Sequence, residues 1–77
     1  MTIKTLGAYA VADERTRREI EQYIENIADP QTREMFRLHF IGRLSYSQTA
    51  RELGGGMTRY CVYCRVKRYA QHAQRRK

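Results

Sequence analysis

No run of apolar residues in this sequence approaches the roughly 18 to 20 that a bilayer span requires, so a membrane protein is not expected. Cysteine is scarce: only Cys61 and Cys64 occur, three apart in a stretch that otherwise reads helical. Such a pair does not make a secreted disulfide framework and agrees with a reducing compartment. Histidine is as scarce, and His39 and His72 are too isolated to suggest acid–base catalysis. No enzyme and no cofactor are expected. No stretch alternates with period two for long enough to make a strand, and neither a repeat nor a low-complexity tract is present. Ala8-Tyr9-Ala10 superficially resembles a signal-peptidase site, but the apolar stretch before it is short and broken by Gly7, so the chain is expected to be cytoplasmic.

Seventy-seven residues, 42% of them hydrophobic and 30% charged, read as globular rather than disordered. A chain this short buries only about 60 to 65% of the surface its unfolded form exposes, so one core is the most it can support. Its margin of stability is small, and a homodimer or a bound partner would add to it.

Acidic residues are missing from one part of the chain. Residues 1–29 carry four basic and six acidic side chains, whereas residues 30–77 carry eleven basic and two acidic, and no acidic residue follows Thr58. The C-terminal part therefore carries a positive field, for which an anionic partner is the natural complement.

Helix signals recur along the chain. Asp13-Glu14 suits a start, and Ile20, Tyr23, Ile24 and Ile27 follow at helical spacing, predicting a helix over about 13–27. Asp29-Pro30 restarts the chain into a second helix over about 30–41, because Asp caps free N–H groups and Pro fits the first turn. Gly42 is expected to end it in the left-handed conformation. Ser45 and Gln48 form a capping box for a third helix over about 46–53. Gly54-Gly55-Gly56 then makes a turn, and Thr58 caps a fourth helix, whose Val62, Val66, Tyr69 and Ala73 form one inward stripe.

The expected fold is thus all-α, a small four-helix domain containing a helix-turn-helix. Residues 1–28 would pack on it or mediate dimerisation, and residues 29–77 would form the DNA-binding domain with a basic tail. The expected core is Ile20, Tyr23, Ile24, Ile27, Met35, Phe36, Phe40, Leu44, Ala50, Leu53, Val62 and Val66.

A short helix, a tight glycine turn and a longer basic helix is what a helix-turn-helix requires. Opposite the packed stripe of the last helix lie Tyr60, Cys64, Lys67 and Gln71, with Arg59, Tyr63 and Arg68 on the flanks. Met57, Thr58 and Arg59 at the helix start are expected to sit deepest in a major groove, where Arg can fork onto guanine. Ser45, which opens the bracing helix, completes the set of candidate DNA contacts.

The run Gly42-Arg43-Leu44-Ser45-Tyr46, the turn Gly54-Gly55-Gly56-Met57-Thr58 and the opening Asp29-Pro30 with Arg33 resemble sigma-factor region 4-like helix-turn-helix proteins of phages and mobile elements. In that family an Asp-Pro-x-x-Arg opening leads into a helix ending in a Gly-Leu-Ser-Trp-like segment. Some phage members carry a Gly-Gly-Gly-Asn-Thr turn, and Met57 stands where Asn is usual. The resemblance covers residues 29–70 and implies DNA binding by the last helix. Seventy-seven residues leave no room for the core-polymerase-binding regions of a complete sigma factor, so promoter initiation by itself is not implied.

Other readings explain less. Zinc bound by Cys61 and Cys64 would need a second ligand pair, and His39 or His72 alone does not supply one. A thioredoxin-like catalytic motif follows a strand, and none precedes these cysteines. Tyr60, Tyr63 and Tyr69 among basic residues would suit single-strand stacking, but that reading leaves the glycine turn and capping box without a role. The leading expectation is a double-stranded-DNA-binding transcriptional regulator of a phage or mobile element. Its rivals are a protein acting by contact with RNA polymerase or a host defence enzyme, and the DNA-recognition subunit of a packaging or recombination machine.

Overall fold

Asp13 begins the first long helix by accepting a hydrogen bond from the Thr16 N–H at 2.8 Å. This computed structural model describes the backbone of residues 3–75 and the side chains of residues 3–70. The described residues form five α-helices: α1 (Ile3–Gly7), α2 (Glu14–Glu25), α3 (Pro30–Phe36), α4 (Tyr46–Leu53) and α5 (Arg59–Arg75). A short 3-10 turn, Tyr9–Val11, joins α1 to α2, and α3 runs on into a π-helical turn, Arg37–Ile41. Among the described residues there is no strand, and no helix is long and apolar enough to cross a membrane. The fold is a small all-α domain.

The caps lie where the sequence places them. Asp29 accepts from the Thr32 N–H at 3.1 Å and from the Thr32 hydroxyl at 2.5 Å, with Pro30 in the first turn of α3. Ser45 and Gln48 complete the reciprocal capping box of α4. Thr58 Oγ1 accepts from the Cys61 N–H at 3.2 Å and opens α5.

One core joins all five helices. Leu6, Ile20, Ile24, Ile27, Met35, Phe36, Phe40, Ala50, Val62 and Val66 form a single buried cluster, with Ala70 also buried. Phe36 is its centre: the rings of Phe40 and Tyr69 stand 5.3 and 5.5 Å away, and that of Tyr23 stands 6.4 Å away. Tyr23 and Leu53 pack against the cluster half-buried, and Leu44 is likewise half-buried rather than part of it. Ala50 is buried in α4, which packs along α5, and its small side chain suits a close approach of the two helices.

Two elements differ from expectation. Helix α1 adds a fifth helix to the expected four, with Leu6 fully buried. Arg17 of α2 holds the 3-10 turn that follows α1 by donating to the carbonyls of Tyr9 at 3.1 Å and Ala10 at 2.9 Å. The second departure is Gly42, which is not left-handed: its φ is −76° and the positive φ of 61° belongs to Arg43. The π turn is the physical reason. Gly42 N–H donates to the Arg37 carbonyl five residues back at 2.9 Å, which brings the Leu38 carbonyl oxygen to 2.8 Å from where a Cβ on residue 42 would sit. Glycine is needed at 42 for close approach, and the reversal of direction falls one residue later.

Candidate nucleic-acid interface

The turn between α4 and α5 is set by its glycines. Gly54, Gly55 and Gly56 have φ of 66°, 62° and 79°, and Gly54, with ψ of −157°, occupies a region that essentially only glycine enters. This turn carries the chain from the end of α4 into the cap of α5, so that the first turns of α5 stand beside the first turn of α4. Ser45, Tyr46 and Ser47 from α4 and Arg59, Tyr60 and Tyr63 from α5 line one cleft of about 490 Å³.

Tyr63 is held by an aromatic ladder. Its ring meets that of Tyr46 edge-on at 5.4 Å, Tyr46 stacks on His39 at 4.3 Å with 16° between the planes, and the Lys67 ammonium lies 5.5 Å from the Tyr63 ring centroid. His39 is itself fixed by a 2.7 Å hydrogen bond between Nδ1 and the Leu44 carbonyl. Burial lowers the imidazole pKa more than that hydrogen bond raises it, so at neutral pH the ring is uncharged with the proton on Nδ1. Burial also pushes the Tyr46 hydroxyl up.

The expected contact residues do not all lie together. Ser45, Arg59, Tyr60 and Tyr63 share the cleft above, and Tyr60 is the most exposed of its aromatics at 72%. Thr58 is exposed, with its hydroxyl engaged as the cap. Met57, expected deepest in a groove, is half-buried and packs against the core. Cys64 and Arg68 lie on the opposite flank of α5, in a second cleft of about 540 Å³ shared with Thr32, Cys61, Arg65 and Tyr69. Lys67 is half-buried beside Tyr63. The side chain of Gln71 lies outside the described residues, as do those of His72, Ala73 and the Arg75-Arg76-Lys77 tail.

Sequence reasoning missed Tyr46, Ser47, His39 and Arg65. Tyr46 and His39 reach the site only through packing between helices, which no local spacing reports. Arg65 donates to Gln31 Oε1 at 2.5 Å and lies 3.8 Å from Asp29, tying α5 to the start of α3. Hydrogen bonds from Thr32 hold the Asp29 carboxyl below its ordinary range, with a smaller effect from Arg65.

Charge pairing divides the molecule sharply. Before Gly42, Arg15 and Arg18 pair with Glu19 and Glu14, Arg37 pairs with Glu25 and Glu34, and Arg17 and Arg33 donate to backbone carbonyls. After it, Arg43, Arg51, Arg59 and Arg68 are exposed and have no ion pair or hydrogen bond among the described residues. Guanidinium groups left free in this way present all five donors to an incoming anion. No group of three or more His, Cys, Asp or Glu among the described residues is placed to hold a metal ion. Compared with protein-family models, with curated proteins and with solved structures, the chain finds no match.

Proposed function

We propose that the protein is a sequence-specific double-stranded DNA-binding protein in which α4, the glycine turn and α5 act as a helix-turn-helix. In this reading α5 enters the major groove by its N-terminal turns while α4 braces across the backbone. The observation that carries it is the set of unpaired, exposed arginines after Gly42, set against the fully engaged arginines before it. Arg59 and Tyr60 sit where base edges would be read, and Arg fits the O6 and N7 acceptors of guanine bidentately. Lys67 and Arg68, one to two turns later, fall nearer the phosphates and position rather than specify. Ser47 and the free N–H groups of the first turn of α4 suit a phosphate on the opposite wall of the cleft.

The sigma region 4-like resemblance and the charge both favour a transcriptional regulator of a phage or mobile element, acting in the cytoplasm, a compartment whose resting state suits two free thiols. Selection of bound sequences from random duplexes tests this reading, followed by titration of Arg59→Ala on the selected and scrambled sites. The expected result is an enriched motif at which Arg59→Ala costs about 1 to 3 kcal/mol and relaxes one base position. Failure to enrich any motif, with equal weak binding to every duplex, would rule out sequence-specific recognition.

A further inference from the structure

The DNA-binding reading leaves one motif of the sequence without a role, the two thiols of α5. Cys61 is exposed, Cys64 is half-buried, and both are free. They stand one helical turn apart and line the same cleft together with Arg65 and Arg68. Cys61 lies in the first turn of α5, where backbone N–H groups have no intrahelical acceptor and favour negative charge. Hydrogen bonding with Thr58 holds its thiol below the ordinary cysteine range, with a smaller contribution from Arg65. Cys61 therefore has the exposure and the thiolate character of an oxidisable cysteine, and Cys64 stands one turn away to resolve it. Cys64 follows Tyr60 by four residues on α5, so the two are neighbours on the helix surface and a change at Cys64 falls beside a residue of the candidate DNA face.

We propose that Cys61 and Cys64 are a modification site, closing into a reversible intrachain disulfide when oxidised by a hydroperoxide, and that closure reshapes the start of α5 and weakens duplex binding. The second half of this inference rests on the reading of α5 as the recognition helix. Residues three apart on a helix keep their Cβ atoms about 5 to 6 Å apart, whereas a disulfide needs about 3.5 to 4.5 Å. The first turn must therefore tighten or unwind for the bond to form. It is free to do so: its N–H groups lack intrahelical acceptors, and the three glycines directly before it tolerate a new chain direction. The same turn carries Arg59 and Tyr60, and Tyr63 lies between the two cysteines.

The chemistry balances. The Cys61 thiolate attacks one oxygen of the hydroperoxide and the O–O bond breaks. The departing oxygen takes up a proton as alcohol, or as water from hydrogen peroxide, and Cys61 is left as a sulfenic acid. The Cys64 sulfur then attacks the sulfenic sulfur; the S–S bond forms, the S–O bond breaks, and the hydroxide leaves as water with the Cys64 proton. Two thiols lose two electrons and the peroxide gains them.

The test treats the reduced full chain with hydrogen peroxide and reads intact mass, non-reducing gel mobility and duplex affinity. The expected product is a monomer lighter by two hydrogens, with affinity lower by about tenfold, the scale of one lost bidentate base contact, and restored by dithiothreitol. Cys64→Ser should stop at a sulfenic acid that dimedone traps, and Cys61→Ser should react far more slowly; neither side chain belongs to the buried core, so both variants should fold. Two thiols that survive the treatment, or a product linked only between chains, would overturn the disulfide. An intrachain disulfide with unchanged affinity would overturn the gating. If the reduced protein binds no duplex, the reading of α5 fails and the gating with it, while the mass change still decides the disulfide.

Discussion

Residues 3–41 and residues 42–70 each hold five arginines and use them in opposite ways. In the first region every guanidinium is engaged, by Glu14, Glu19, Glu25 or Glu34 or by the carbonyls of Tyr9, Ala10 and Ile27. In the second, only Arg65 is engaged among the described residues, and it reaches back to Gln31 and Asp29. Exposed ion pairs contribute only about 0 to 1 kcal/mol each, so stability alone does not explain the contrast. What pairing does achieve is a neutral surface on one side, and what its absence leaves is an uncompensated positive field on the other. A small domain bears the self-repulsion of that field at some cost in stability, which is understandable where an anionic partner offsets it.

The largest expected effect comes from the residue that joins the two regions. Phe36 touches Tyr23 of α2 on one side and Tyr69 of α5 on the other. Phe36→Ala should cost about 3 to 5 kcal/mol, and a chain of this size has little more than that to lose. Urea unfolding followed by circular dichroism and by tyrosine fluorescence should show both regions lost in one transition. A residual transition confined to residues 42–70 would mean that the two regions are separately stable and that the shared core is not what unites them.

Exchanging one arginine from each side sharpens the comparison. Arg59→Ala should lower affinity for the preferred duplex by about 1 to 3 kcal/mol and leave the urea midpoint unchanged. Arg37→Ala should do the reverse, lowering stability by up to about 1 kcal/mol with duplex affinity intact. Titration and unfolding of both variants decide the matter, and a loss of affinity from Arg37→Ala would erase the division.

How far the sequence reported these features depends on their range. Caps are local chemistry, so Asp13, Asp29, the Ser45–Gln48 pair and Thr58 were readable from neighbouring residues, and α4 lies over the span its spacing predicts. The π turn was not readable, because nothing in Arg37–Ile41 departs from an ordinary helical pattern. Its consequence, glycine at 42 with Arg43 left-handed, could be seen only once the Leu38 carbonyl was located. Helix α1 escaped because five residues with one buried leucine have no periodicity to detect. At the site, exposure and charge marked Arg59 and Tyr60, whereas the packing of Tyr46 between His39 and Tyr63 depends on contacts between three separate elements.

Smaller effects probe the scaffold beneath the positive side. The Thr49 hydroxyl of α4 is fully buried with no hydrogen-bond partner among the described residues, and such a group carries an unrecovered desolvation cost. Thr49→Val keeps the branched shape and should raise stability by about 1 kcal/mol, read from the urea midpoint; a loss of that size would show that the hydroxyl is satisfied after all. The effect of His39 is smaller still. Its folded pKa is lowered, so the unfolded chain binds the extra proton first, and stability should be full above about pH 6.5 and decline as the pH falls below it, levelling once the folded ring also titrates. His39→Asn should flatten that part of the pH profile while lowering stability throughout, and an unaltered profile would remove His39 as its source.

The contrast between the two sets of arginines is tested most directly by the salt dependence of duplex affinity in two charge-matched variants. One carries Arg43→Gln, Arg59→Gln and Arg68→Gln, and the other carries Arg15→Gln, Arg18→Gln and Arg37→Gln. Each phosphate contact releases counterions and contributes a slope of about 0.9 in log affinity against log salt. The first variant should therefore lose about two units of slope, because Arg59 reads a base edge and Arg43 and Arg68 are left to meet phosphates, and the second should keep the slope of the unaltered protein. Equal losses in both would mean that net charge alone draws the protein to DNA and that the free arginines form no interface.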